Sequence, residues 1–400
     1  MAAGAAVLAC AVTAGCSRSG GGAAGAAASA LPAATASGGT GAAVTDPPTT
    51  GTVAAACVAQ ALGNLTLAQR VGQLFLVGVD GDIAGPEIDA AESTYHFGSL
   101  LLNASSAGTA TLAARTAAMQ ALASSGTGGI KFFIAANQEG GRIQQLTGPG
   151  FAAMPSALEQ GGWAASTLRQ SATDWGTQLR AAGVNLDLAP VMDVVPPGTA
   201  ASNAPIGALD RQFGSDPASN GAHGAAFIQG MADAGVATSA KHFPGLGRVA
   251  GNTDFAANVV DDVTTPADPS LNSFRAAIGA GVPMVMVALA TYTRIDASRL
   301  AAFSPVVMKL LRGQFGFGGV IVSDDLGEAQ AVRAIPAGTR AIDFLNAGGD
   351  LVTSQDLAPA RQMAAAALAK AQASAAFRAT VNDAARRVLS AKQAAGLLSC

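Results

Sequence analysis

The run Lys241-His242-Phe243-Pro244-Gly245-Leu246-Gly247 sets a cation and an imidazole at the end of a short apolar stretch, Val236 to Ala240. A glycine- and asparagine-containing segment, 245–254, follows it. The local reading is a strand that ends in a mobile loop, which is where parallel-strand barrels carry their chemistry. Val320-Ile321-Val322-Ser323 ends in the same way, in Asp324-Asp325. A carboxylate there can act as a nucleophile or carry a proton. Successive strand side chains face opposite sides, so only one of the two aspartates is expected to face the mouth. Each group also has a plainer reading. Lys241 can pair with a neighbouring carboxylate, His242 can be a satisfied core histidine, and the two aspartates can be solvated or ligate a metal. Asn137-Gln138-Glu139 ends a third apolar run, and Asp187 and Asp193 lie in and after a fourth. Polar groups gathered at the same end of four runs favour a catalytic mouth over simple loop solvation.

The elements that must hold these groups are legible as an alternation. Apolar runs at Gln73–Val79, Gly98–Leu102, Lys131–Ala136, Asn185–Val194, Val236–His242, Met284–Tyr292, Gly319–Ser323 and Asp350–Thr353 read as strands buried on both faces. Between them, Gly108–Ser124, Ala164–Ala182, Asp216–Ala234, Pro266–Gly279, Pro305–Gln314 and Pro336–Asn346 read as helices. The last segment, Ala358 to Leu397, reads as one long Ala-rich helix solvated by Arg361, Lys370, Arg378, Arg386 and Lys392. The class is α/β, and eight strand candidates predict a (β/α)8 TIM-type barrel as a single catalytic domain. An open doubly wound sheet fits the same alternation, but no Gly-x-Gly-x-x-Gly follows the first run. Ala276 to Thr293 is uncharged, yet Gly279, Gly281 and Pro283 interrupt it, so helix end, turn and strand are expected rather than a membrane span.

Several motifs together resemble glycoside hydrolase family 3, in particular its β-N-acetylglucosaminidases. They are the 241–247 run, Asn137-Gln138-Glu139-Gly140-Gly141-Arg142, Asn185 to Val194, Arg211-Gln212-Phe213-Gly214-Ser215-Asp216-Pro217, Phe303-Ser304-Pro305, and Ser323-Asp324-Asp325-Leu326. Cleavage of a sugar bond needs one carboxylate at the anomeric carbon and one acid for the leaving oxygen. The resemblance implies Asp324 as nucleophile, with Asp325 as a neighbour or cap. It implies substrate binding by Asn137, Asp187, Arg211, Lys241 and His242. Asn137 stands where the family carries an aspartate, and an amide also binds hydroxyls. Where this branch carries an Asp-Ser-His triplet that serves as acid/base, the sequence has Asn252-Thr253-Asp254. Asp254 is then the candidate acid, provided burial raises its pKa, with Glu139 and Glu328 behind it.

The implied activity is a retaining exo-β-N-acetylglucosaminidase that trims cell-wall fragments. A glycan-binding lipoprotein without catalysis and a β-glucosidase or xylosidase are the alternatives. No cofactor is implied. The histidines are His96, His223 and His242, widely spaced and with no cysteine pair beside them, so no metal site is expected. A net charge of −3 with scattered cations and few aromatics gives no case for nucleic acid. The expected partner is a carbohydrate, and a monomer is expected.

Residues 1–16 read as a signal peptide whose Thr13-Ala14-Gly15-Cys16 is a lipobox, with Cys16 as the lipidation site. Lipid there would anchor the protein outside the cytoplasm on the cell membrane, and a cleaved signal without lipid would leave it secreted. Residues 17–56 are mostly Gly, Ala, Ser, Thr and Pro, with almost no large apolar residues, and read as a disordered tether, followed by the barrel domain at 57–400. Cys57 and Cys400 flank that domain, and outside the cytoplasm a bond between them would staple its ends; free thiols are the alternative.

Overall fold

The computed structural model describes residues 50–79, 93–123 and 126–399. Within them, eight parallel strands close into a barrel in chain order. They are β1 (Phe75–Val79), β2 (Ser99–Leu102), β3 (Phe133–Ala136), β4 (Leu186–Asp187), β5 (Ala237–Phe243), β6 (Met284–Val287), β7 (Val320–Asp325) and β8 (Leu351–Ser354). β8 pairs back onto β1, with Phe75 opposite Val352. The architecture is the expected (β/α)8 barrel.

Its cause is visible in the strand sequences. Phe75-Leu76-Val77 and Val320-Ile321-Val322 are entirely buried, one side facing the barrel interior and the other the helix layer. Each large apolar side chain removed from water contributes about 1.5–3 kcal/mol before entropy is charged against it. The helices start where capping chemistry dictates. Asp216 accepts from Ser219 N (2.7 Å) ahead of Pro217–Asp233, and Ser304 accepts from Val307 N ahead of Pro305–Lys309, each with proline in the first turn.

Several boundaries differ from the sequence reading. Asn185–Val194 yields only the two-residue β4, because Pro190 supplies no N–H to a ladder; Val191 returns to the sheet as a single bridge to Lys241. The helix expected from Pro266 begins at Asn272, after a 3-10 turn at Pro269–Leu271. Pro305–Gln314 is helix to Lys309 and a π turn from Leu310. The long terminal helix is two helices, Leu357–Ala373 and Ala375–Ala394, divided at Ser374, whose hydroxyl caps the second by accepting from Phe377 N. Lys392 does not solvate that helix. It is fully buried, donating to Gln73 Oε1 (2.7 Å) and Gly98 O (2.6 Å) at the start of β1 and β2.

A helix spans Thr50–Asn64 and packs on Ala375–Ala394, so the boundary at 56 falls inside an ordered element. Cys57 in that helix is disulfide-bonded. Cys400, Cys16 and the rest of the leader lie outside the described residues. Among the described residues no helix is long and apolar enough to cross a membrane. Ala276 to Thr293 is, as expected, the end of a helix, a turn and the strand β6.

Candidate active site

At the C-terminal mouth of the barrel lies a cavity of about 240 Å³. That is slightly below the usual ~300–1,000 Å³ of ligand pockets and suits one sugar ring rather than a chain. It collects Asn137, Glu139, Arg211, Lys241, His242, Asp254 and Asp324 in its wall. These residues come from the ends of β3, β4, β5 and β7 and the loops beyond them.

Past β3 the chain turns back in a short ribbon, Gln138–Gly140 against Ile143–Gln144. The ribbon presents Glu139, whose carboxylate accepts twice from Arg211, Nε to Oε2 and Nη2 to Oε1, both at 2.8 Å. Lys241 Nζ completes the cluster, 2.6 Å from Glu139 Oε1 and 2.7 Å from Asn137 Oδ1. Burial alone would raise the Glu139 pKa, but Arg211 and Lys241 outweigh it and bring it down to about 2. Glu139 is therefore a fixed anion and cannot be the proton donor. Asn137 lines the cavity as expected, with its amide oxygen committed to Lys241.

Asp187 corrects another expectation. It is fully buried and is not part of the cavity wall. One oxygen accepts from Gln138 N (2.9 Å), and the other has no partner. Burial dominates and pushes its pKa up to about 8, so the group is protonated at neutral pH. Its one hydrogen bond holds the first residue of the ribbon.

Lys241 and His242 are adjacent yet both line the cavity, because the ladder between β5 and β6 shifts register between Ala240 and Phe243. Such an irregularity re-aims a side chain. His242 Nδ1 lies 2.7 Å from Asp193 Oδ2, while Asp193 Oδ1 accepts from the backbone N–H of His242 (3.1 Å) and Leu246 (2.9 Å). The carboxylate thus fixes both the imidazole and the turn that follows it, and leaves Nε2 for the cavity. Gly245 sits at φ 127°, a backbone region closed to most residues. A Cβ on Gly247 would lie 2.0 Å from Val194 O, so this turn can press against the end of the fourth strand segment only with glycine there.

Asp324 and Asp325 likewise both reach the cavity, against the expectation that only one would, because β7 shifts register against β8 between Val322 and Asp325. Their duties differ. Asp325 accepts from the backbone N–H of Gly327 (2.8 Å), Glu328 (3.2 Å) and Gln355 (3.0 Å), so it caps the turn after the strand. Burial, opposed by those N–H groups, sets its pKa at about 6. Asp324 accepts from Asp325 N (2.9 Å) and is the more exposed of the two, with its carboxylate directed to the cavity.

Asp254 shares that cavity. Its side chain is open to solvent as well as to the cavity; the partial desolvation there raises its pKa, the charge of Asp324 raises it further, and His242, Arg211 and Lys241 pull it down by less. That direction is the one a general acid needs. Its loop is docked rather than free. Asp254 N donates to Asn252 Oδ1 (2.9 Å), Gln330 N donates to Asp254 O (3.1 Å), and Ala331 N donates to Thr253 O (3.1 Å). The loop expected to be mobile is thus tied by its main chain to the segment after β7.

Asp193 and Glu139 are the functional groups that sequence reasoning placed least well. Both were visible at strand ends, but nothing in the sequence pairs Asp193 with His242, 49 positions further on. Glu328, the other reserve acid, is half exposed and paired with Arg333 at 2.9 Å. Among the described residues no group of three or more His, Cys, Asp or Glu is arranged to hold a metal ion.

A sequence profile described as the Glycosyl hydrolase family 3 N terminal domain matches residues 66–391. A protein named Beta-hexosaminidase from Stenotrophomonas maltophilia (strain K279a) is 34% identical over 236 residues, 55% of this chain, and the match spans 65% of that protein. A Beta-hexosaminidase from Xylella fastidiosa (strain M12) is 33% identical over 291 residues, 70% of this chain and 82% of its own length. A crystal structure of Beta-N-acetylhexosaminidase from Beutenbergia cavernae DSM 12333 superposes with a TM-score of 0.80 at 48% identity, covering 82% of this chain and 99% of that one.

Proposed function

The chain belongs to glycosyl hydrolase family 3, and on that premise we propose that it is a retaining exo-β-N-acetylglucosaminidase. The observation that carries this reading is the meeting of Asp324 and Asp254 in one sugar-sized cavity with Arg211, Lys241 and His242, the charge of Asp324 helping to raise the pKa of Asp254. The names of the similar proteins support the same substrate class.

Asp324 attacks the anomeric carbon as the bond from that carbon to the leaving oxygen breaks, and Asp254 passes its proton to that oxygen. The product of this step is a glycosyl ester on Asp324. Asp254, now a carboxylate, takes a proton from water as the water attacks the same carbon. That releases the sugar with its configuration retained and restores both groups. Arg211, Lys241 and His242 supply charge-assisted and neutral hydrogen bonds to the ring substituents.

The leader with Cys16 in a lipobox, the tether and a disulfide-bonded Cys57 support a protein anchored outside the cytoplasm, with cell-wall fragments as its substrate. The test is release of phenol from aryl β-N-acetylglucosaminide and aryl β-glucoside by the purified protein and by Asp324→Ala. Turnover of the first substrate alone, abolished in the variant, is the expected result. Binding of N-acetylglucosamine without turnover of either substrate would replace the hydrolase with a glycan-binding protein.

A further inference from the structure

Phe255, next to Asp254, is 83% exposed, the most exposed large hydrophobic side chain among the described residues. Its backbone is nonetheless held. Phe255 N donates to Asn252 O (3.0 Å), Ala256 N donates to the same oxygen (2.8 Å), and the bonds from Gln330 and Ala331 fix the two residues before it. A single exposed apolar side chain is ordinary on a protein surface; this one differs in that its backbone is held at the border of the cavity with Asp324.

The ring borders two spaces. One is the cavity that holds Asp324. The other is a neighbouring cavity of about 470 Å³ that shares Asp254, Phe255, Asp325 and Gln355 with the first. The rest of its wall is Glu328, Ala329, Gln330 and Arg333, polar but for the alanine. Glu328 and Arg333 steady each other through a 2.9 Å ion pair. The combination is one apolar face, a rim of donors and acceptors, and a proton donor at the border with the first cavity. This matches a pyranose, whose axial C–H groups form an apolar face and whose hydroxyls point outward.

We propose that the second cavity is the leaving-group subsite, that it takes a second sugar ring, and that Phe255 is the platform on which that ring stacks. The proposal rests on the exo-hexosaminidase reading of the first cavity and extends it: the substrates are β-linked glycans, not glycosides of small alcohols. Phe255 is then a specificity residue. It acts on the leaving sugar and leaves the sugar bound beside Asp324 untouched.

The test compares wild type, Phe255→Ala and Phe255→Tyr on two substrates. One is the β-1,4-linked disaccharide of N-acetylglucosamine, and the other is methyl β-N-acetylglucosaminide, whose leaving group is too small to cover the ring. Removal of so exposed a ring opens no core void, and an unchanged melting temperature verifies this. The expected result for Phe255→Ala is a loss of about tenfold in kcat/KM on the disaccharide, with the methyl glycoside within about twofold of wild type. Phe255→Tyr should restore the disaccharide rate, since a phenol ring offers the same face. The same loss is expected when the leaving sugar is N-acetylmuramic acid, because the ring reads a sugar face rather than a charge. Equal losses on disaccharide and methyl glycoside, or no loss on either, overturn the subsite while the hexosaminidase reading stands. A wild-type protein that cleaves neither substrate overturns both.

Discussion

Glu139 and Lys241 meet in a 2.6 Å ion pair whose side chains are each only 3% exposed, and Arg211 grips the same carboxylate with two further bonds. One anion thereby holds two cations in position at the mouth of the barrel. Its worth lies less in net attraction than in what its loss would leave behind, because an unpaired buried charge is costly.

Glu139→Gln is therefore expected to destabilise the protein by about 3–5 kcal/mol at neutral pH, measured by urea unfolding. The folded pKa of about 2 lies below the ordinary value of 4.5, so on acidification the unfolded chain takes up this proton first. The stabilisation is fully present above about pH 4.5 and is lost as pH falls toward 2. The gap between wild type and variant should shrink over that window, and a gap constant from pH 7 to pH 2.5 would show that the carboxylate does not hold the cluster.

Asp187 has the opposite sign. Its folded pKa of about 8 lies above the ordinary 3.8, so the folded protein keeps a proton that the unfolded chain releases. Stability is lost as pH climbs from about 4 to about 8 and levels off beyond. Asp187→Asn retains an acceptor for Gln138 N and carries no titration. Melting temperatures across that range should show the variant gaining on wild type by an amount on the order of 3–5 kcal/mol by pH 8. Parallel curves would contradict the buried, protonated state.

Asp254→Ala should discriminate between leaving groups. General acid catalysis contributes roughly 10²–10⁴-fold, and a leaving group that departs without a proton needs none of it. On the N-acetylglucosamine disaccharide the variant is expected to lose activity in that range, and on a dinitrophenyl glycoside less than about tenfold. Equal losses would remove Asp254 from the acid role.

Asp193→Asn tests the orientation of His242. The amide can still accept from the two backbone N–H groups, but it no longer offers the imidazole a carboxylate. Glycon binding should weaken by about tenfold or more, read as a rise in KM, with stability lower by about 1–3 kcal/mol. A variant with unchanged KM would mean that His242 contributes nothing to the sugar site.

Much of this was legible in advance, for a physical reason. Strands buried on both faces must be continuous apolar runs, so β1, β3 and β7 were visible to within two or three residues. The catalytic candidates stand where those runs end. What escaped was set by distant partners. Lys392 looked like a solvating charge, and only its contacts with Gln73 and Gly98, 319 and 294 positions away, make it a buried one. The pairing of Lys241 with His242, and of Asp324 with Asp325, in one cavity depends on ladder irregularities that alternation rules do not reveal. Asp187 read as a ligand through the family resemblance, yet it is buried and its carboxylate accepts from Gln138 N in the ribbon after β3.

The main-chain tie from Gln330 and Ala331 to Thr253 and Asp254 carries an evolutionary corollary. Amide groups make the bonds, so almost any non-proline residue at 330 or 331 preserves them. The distance between Asp324 and Asp254 is instead written into the number of residues that follow Asp324. Drift in composition along that stretch is harmless, whereas a single inserted or deleted codon there would pull the two carboxylates out of step.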